Sequence, residues 1–267
     1  MDIGSLIGLI SGLVFVIVSI LINGEWDFAA VGAFADAPSV LIVIGGTFAS
    51  VFIAQPLPKV IKALTAAKFA FLPPSYDHAD AITRIITLSN LARREGVLAL
   101  EETAQNMDDP FLKKGIMLVV DGADPELVRS VLETEMAFVE NRHNDVKGVW
   151  DMIAALGPAW GMVGTMVALV LMMGNLTDID ALATNMALAM ITTFYGALLA
   201  NFISAPISKK LSIYSAEEML LKELLIEGIL SIQNGENPRI IEEKLKAFLS
   251  PSLRSIEAAP SGGGGDA

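Results

Sequence analysis

The chain contains no cysteine and only two histidines, His78 and His143. Without thiols it has neither a disulfide framework nor a Cys-ligated metal centre. Bases are scarce too: 18 Lys and Arg stand against 30 Asp and Glu, a formal net charge of −12. In so acidic a chain no run of bases makes the basic face that nucleic acids require, so nucleic acid is not an expected partner. No nucleophile–His–acid set, phosphate-binding glycine loop or cluster of metal ligands stands out. An enzyme is therefore not expected, nor is a cofactor or a permanently bound metal.

The most informative absence is of charge of either sign over long stretches. Residues 3–24 (22 residues), 37–58 (22), 152–177 (26) and 181–208 (28) contain no Asp, Glu, Lys or Arg. Each reaches the length of about 20 apolar residues with which a helix crosses a bilayer. Mean hydropathy is +0.57, high for a water-soluble domain. The first run lacks the basic leader of a secretory signal and is longer than the usual apolar core of one. The fold class expected is all-α: an integral membrane protein with four transmembrane helices.

The bases that exist are segregated. Residues 59–147 hold 11 of them and residues 209–254 the other 7. The connection 25–36 has none but carries Glu25, Asp27 and Asp36, and the connection 178–180 carries Asp178 and Asp180. By the positive-inside rule, both termini and the long middle segment face the cytoplasm, and the two short acidic loops face outward. The chain divides into spans one and two (1–58), a helical cytoplasmic segment (59–151), spans three and four (152–208) and C-terminal cytoplasmic helices with a flexible tail (209–267).

The middle segment has helical patterning. Ile82, Ile85, Ile86 and the run from Leu88 to Leu91 form a stripe at three-to-four spacing. Asp124, Pro125 and Glu126 make a helix start, with an N-cap, a proline at the first helical position and an acid in the first turn. No breaker follows before Asp151, so this helix is expected to feed into the third span. The fourth span is expected to run past Lys209 and Lys210 to Ile232, and Asn234–Gly235 to end it. A short helix then starts at Asn237–Pro238 and ends before Pro251. The Gly-rich tail 261–267 reads as disordered.

The spans themselves hold no acid, base or histidine, the groups on which proton pumps carry their ion. If the chain conducts an ion, another chain supplies the ionisable ligand; the alternative is a passive anchor for the cytoplasmic part. Gly4, Gly8 and Gly12 repeat every four residues, as do Gly157, Gly161 and Thr165, a spacing that permits close helix approach. That approach serves packing within one subunit or onto a partner, and the pattern suits both. Pro158 removes a backbone donor inside the third span, and a kink is expected there. Thr165 lies 13 residues from the start of its window at Met152, and Thr193 lies 14 from the end of its own at Ile207. At ~1.5 Å per residue both sit roughly 20 Å in, with Thr192 one step away. Two readings remain for these hydroxyls: bonds to their own helix backbone, or a neutral oxygen shell for a hard cation such as Na⁺.

Several runs resemble one family. Residues 158–169 (PAWGMVGTMVAL) and 192–201 (TTFYGALLAN) are similar to the third and fourth spans of flagellar stator A subunits, the MotA/PomA family. Residues 91–102 (LARREGVLALEE) resemble its rotor-contacting helix. Residues 115–122 and 227–241 match as well, so the resemblance is colinear from Gly4 to about Phe248.

The resemblance implies a multi-pass subunit of the bacterial inner membrane. It further implies a homo-oligomeric ring, a pentamer, around a dimer of a B subunit that would supply the membrane Asp and a peptidoglycan anchor. On that resemblance ion flow would turn the ring, and the cytoplasmic part, now read as rotor-interacting, would push the rotor switch protein. Arg93 and Glu101 match rotor-facing charges, with Arg94 and Glu102 beside them. A solvated face is the plain alternative for these four, since surface ion pairs contribute only ~0–1 kcal/mol each. Pro158 and Pro206 match prolines implicated in coupling ion passage to movement. Thr165 and Thr193, with Thr192 adjacent, match the ion path of sodium-driven members and imply transient Na⁺ binding near the first two. Where such relatives carry a further acid after the Glu pair, this chain has Thr103 and Ala104. Energisers related to ExbB and TolQ are the runner-up, disfavoured because they have three spans; a proton-driven stator subunit is the other alternative.

Overall fold

The computed structural model describes residues 2–249, and the Gly-rich tail read as disordered lies outside them. Among the described residues every regular element is helical. Two compact units form, Met1–Pro74 with Arg142–Tyr214, and Ser75–Asn141 with the described chain from Ser215 onward.

Polar caps open most of the helices. Asp2 caps α1 (Ile3–Asn23) by accepting from the Ser5 amide at 3.3 Å. Asp36 caps α2 (Ala37–Ala54) through the Ser39 amide at 2.8 Å, and α2 contains a π-helical turn at Leu41–Gly45. Pro56 precedes α3 (Leu57–Ala66). In the second unit Asp77 caps α4 (His78–Glu95), α5 covers Leu100–Gln105, and Asp109 caps α6 (Pro110–Val120). The short carboxylate satisfies amides that have no partner inside the first helical turn.

Two long helices belong partly to each unit. α7 (Pro125–Gly174) starts where expected, with the Asp124 carboxylate accepting from the Glu126 amide at 2.9 Å. It stays helical through Pro158, which has no N–H to offer the Ala154 carbonyl. The expected site of a kink is therefore a place where the helix continues with one bond fewer. α8 (Ile179–Gln233) is likewise continuous over 55 residues and contains a second π-helical stretch at Leu198–Ser204. Asn237 caps the last helix, α9 (Pro238–Lys246).

Burial separates the two units by character. In the second, Ile82, Ile85 and Leu88 of α4 pack with Phe111, Leu132 and Leu224 in one apolar core. In the first, a core of Val51, Val60, Val149, Trp150 and Ile207 is anchored by the Trp150 indole, which donates to the Ala63 carbonyl at 2.9 Å. Elsewhere in that unit large apolar side chains face outward: Phe15 is 72% exposed, Ile53 89% and Val170 72%. Four helices, α1, α2, α7 and α8, are long and apolar enough to cross a membrane. A bilayer explains why so many apolar surfaces lack a protein neighbour.

Candidate functional site

Small residues decide how closely α7 and α8 approach. A Cβ on Gly196 would lie 2.6 Å from the Gly157 carbonyl oxygen and 3.1 Å from the Pro158 Cα. One on Gly161 would lie 3.0 Å from the Thr192 carbonyl oxygen. The Gly157–Gly161–Thr165 stripe is thus used within the subunit, against α8. Pro158 sits at the tightest point of that contact and is itself exposed.

One turn farther along, the same approach joins two hydroxyls. Thr165 Oγ1 and Thr193 Oγ1 are 2.9 Å apart. Thr165 also lies 3.1 Å from the Gly161 carbonyl oxygen and 3.2 Å from that of Ala189, and Thr193 is 3.2 Å from the latter. Each hydroxyl donates one proton and has two acceptor lone pairs. With the protons directed at carbonyls or shared within the pair, lone pairs remain for another ligand. Back-bonding and cation ligation are therefore compatible. Thr193 is exposed and Thr165 half-buried, so the pair opens to one side of the subunit. Thr192 differs: it is fully buried and bonds the Ala189 carbonyl at 3.0 Å. Its methyl carbon also fills the space beside Gly164. The structure separates it from the Thr165–Thr193 pair and gives it a packing role between the two helices.

Among the described residues no three His, Asp or Glu side chains gather where they could hold a metal. What the spans offer is neutral oxygen. Pro206 is exposed just beyond the π-helical stretch of α8. Two aromatic anchors in the matching runs escaped the sequence reading. The Trp160 indole donates to Ser50 Oγ at 2.9 Å. The Tyr195 hydroxyl donates to the Phe34 carbonyl and accepts from the Asp36 amide at 3.3 Å. Their signal was a polar-tipped aromatic in a charge-free window, which needs a partner when buried.

Asp2, just outside the first apolar window, accepts from Lys210 and from Ser5. Chiefly the Lys210 hydrogen bond holds its carboxyl well below the usual carboxylate range. Asp151, at the head of the third window, also titrates low: burial pushes it up, but hydrogen bonds from Lys147 and Ser208 prevail.

In the second unit Arg93, Arg94, Glu101 and Glu102 are all exposed, and none makes an ion pair among the described residues. The resemblance placed all four on one rotor-contacting helix, but they lie on two. Gly96, at φ 88° and ψ 164°, ends α4 in a conformation open essentially only to glycine. The arginines close α4 and the glutamates open α5, with Leu98 73% exposed between them. Ala104 is fully buried, so it is a core position, whereas the neighbouring Thr103 is exposed.

Comparison with known proteins gives this arrangement a context. Residues 103–224 match the MotA/TolQ/ExbB proton channel family. Motility protein A of Borreliella burgdorferi is 41% identical over 92% of this chain and 94% of its own. Chemotaxis protein PomA of Vibrio alginolyticus is 38% identical over 96% of this chain and 99% of its own. A chain of the C. jejuni MotAB structure superposes with a TM-score of 0.86 at 26% identity, covering 94% of this chain and 97% of that one. The flagellar MotAB stator complex from Bacillus subtilis gives 0.85 at 30% identity, covering 96% and 98%. With motility proteins 38–41% identical over more than nine-tenths of its length, the chain belongs to the MotA/PomA family of motility proteins.

Proposed function

We propose that this chain is the A subunit of a flagellar stator and that sodium drives it. Copies form a pentameric ring around a B-subunit dimer, which supplies the membrane Asp and the cell-wall anchor. The chain is multi-pass in the inner membrane with both termini cytoplasmic. Arg93, Arg94, Glu101 and Glu102 meet the rotor switch protein. The near-complete likeness to chains of two MotAB structures supports the stator reading.

The observation that carries sodium is the 2.9 Å contact between Thr165 and Thr193. A bare cation in a low-dielectric path is costly and needs several oxygens at once. A carboxylate supplies two oxygens, and this pair adds two more from spans that have no charge. Oxygens this close can share one ion at the ~2.3–2.6 Å ligand distances of hard cations. A proton needs only the carboxylate. The hydroxyls' bonds to the Gly161 and Ala189 carbonyls also suit an alternative reading, a structural staple in a proton-driven stator. Swimming speed in cells relying on this chain and its B partner decides between them. It should rise with external Na⁺ at fixed pH and collapse when K⁺ replaces it. Full motility without sodium, abolished by a protonophore, would establish the proton reading.

A further inference from the structure

The Gly4–Gly8–Gly12 repeat of α1 is not a uniform packing seam. A Cβ on Gly12 would fall 2.3 Å from the Phe202 ring, so Gly12 seats that ring against α1. Gly8, one turn earlier, has no atom within 4 Å of the place its Cβ would take. It faces a cavity of 470 Å³ between α1 and the stretch of α8 from Phe202 to Ile213. Leu9, Phe71, Ile203 and Ile207 make its walls apolar, and Ser5, Lys209 and Lys210 supply its polar side. The volume falls within the ~300–1,000 Å³ typical of small-molecule sites.

The charges there are unequal in availability. Lys210 is occupied by Asp2. Lys209 makes no ion pair or side-chain hydrogen bond among the described residues. On its other flank it borders Lys147 and Asp151, which already neutralise each other at 2.6 Å. Of the two lysines that line the cavity, Lys209 is therefore the one without an acidic partner among the described residues, and it is the first charged residue after the window 181–208. The cavity joins an apolar chamber at the depth of the spans to a free ammonium group where the spans end.

We propose that an anionic phospholipid occupies this cavity, one acyl chain beside Gly8 and its headgroup phosphate on Lys209. The surrounding medium itself delivers such a ligand: the cavity wall belongs to helices whose outer faces are apolar, and the lysine stands where headgroups lie. Basic pockets between membrane helices at the cytoplasmic surface select anionic headgroups by this chemistry. Since the wall includes the π-helical stretch Leu198–Ser204 in part and Pro206, the bound chain braces α8 where its hydrogen bonding is irregular. The proposal goes beyond the stator assignment and is independent of the coupling ion.

The test uses the complex with its B subunit in phosphatidylcholine nanodiscs doped with photoactivatable phosphatidylglycerol or, in parallel, photoactivatable phosphatidylcholine. Mass spectrometry should place adducts on peptides containing residues 5–9 and 202–213, about five-fold more from phosphatidylglycerol. Lys209→Gln, an exposed change that leaves folding intact, should remove that preference. Gly8→Leu fills open space and should block both lipids while assembly with the B subunit persists. Equal labelling by the two lipids, or labelling indifferent to both variants, overturns the proposal. So does a Gly8→Cys variant of this cysteine-free chain that forms disulfides between copies, since a second copy would then fill the cavity.

Discussion

Thr193 and Thr165 touch each other and share one carbonyl, so replacing either removes an oxygen without leaving a buried charge. Thr193→Ala should raise the sodium needed for half-maximal swimming speed about ten-fold, the cost of one lost contact to a charged group. Thr193→Ser, which keeps the oxygen, should stay near wild type. If Ala and Ser variants behave alike, the oxygen is not a ligand. Arg93 presents the opposite case, an exposed charge with no ion-pair partner among the described residues. Arg93→Glu should change stability by less than about 0.5 kcal/mol and leave membrane levels normal, yet abolish motility. A compensating charge reversal on the rotor should restore part of it, and unchanged swimming after reversal of all four charges would remove the rotor assignment. Glu227 is structural. It accepts from Lys244 and from Arg129 at 3.2 Å, and chiefly the Lys244 hydrogen bond lowers its carboxyl from the ordinary 4.5. The folded state therefore binds this proton less readily than the unfolded state does. Its stabilisation is complete above about pH 4.5 and disappears as pH falls through that value and the lowered one. Glu227→Gln should destabilise the second unit by about 1–2 kcal/mol at pH 7. Thermal melts of variant and wild type should converge at acid pH.

Helices α7 and α8 act as a pair because backbone meets backbone at Gly157, Pro158 and Gly196. A side chain at Gly196 has nowhere to go: the atom it meets first is a carbonyl oxygen of the opposite helix, which cannot rotate away. Gly196→Val should force the helices apart at a cost of about 1–3 kcal/mol and separate the hydroxyls one turn away. Pro158→Leu tests a different property of the same contact. It supplies the donor that the Ala154 carbonyl lacks and stiffens α7. Complexes carrying it should assemble with the B subunit in normal yield and generate little torque. Wild-type swimming speed in the Pro158→Leu strain would mean that the missing bond is only a feature of packing.

Large apolar faces on the first unit have no neighbour in one copy of the chain, and the spans supply no ionisable ligand. Both facts suit a ring closed around a partner helix. Purification with the B subunit should therefore yield one complex containing several copies of this chain, whereas a monomer that sustained swimming would contradict the ring. Orientation can be read on the same preparation of cells, because the chain has no cysteine of its own. A single cysteine replacing Phe28 should react with an impermeant maleimide added outside. One replacing Leu98 should react only after the inner membrane is opened. The reverse pattern would invert the proposed topology.

Much of this was legible before any coordinates. Charge-free windows, caps such as Asp124 and stops such as Asn234–Gly235 act over one or two turns, so residues nearby in sequence determine them. The continuity of α7 and α8 followed from the same local signals. Contacts between helices were a different matter. Periodicity placed Gly157 and Gly161 on one face but left the occupant of that face open, and only the packed structure assigns it to α8. Depth arithmetic put Thr165 and Thr193 at one level, yet level is not distance; the rotation of both helices about their axes brings the oxygens to 2.9 Å and turns Thr192 away. The break at Gly96 was concealed because glycine is tolerated inside a helical pattern, and its positive φ is a choice made by the core on either side. The two π-helical stretches left no mark in composition, since an extra residue in a turn changes which side chains align without changing which are present. The local chain therefore specified the helices and their caps, and long-range packing chose their faces and rotations, because a contact between two helices depends on both at once.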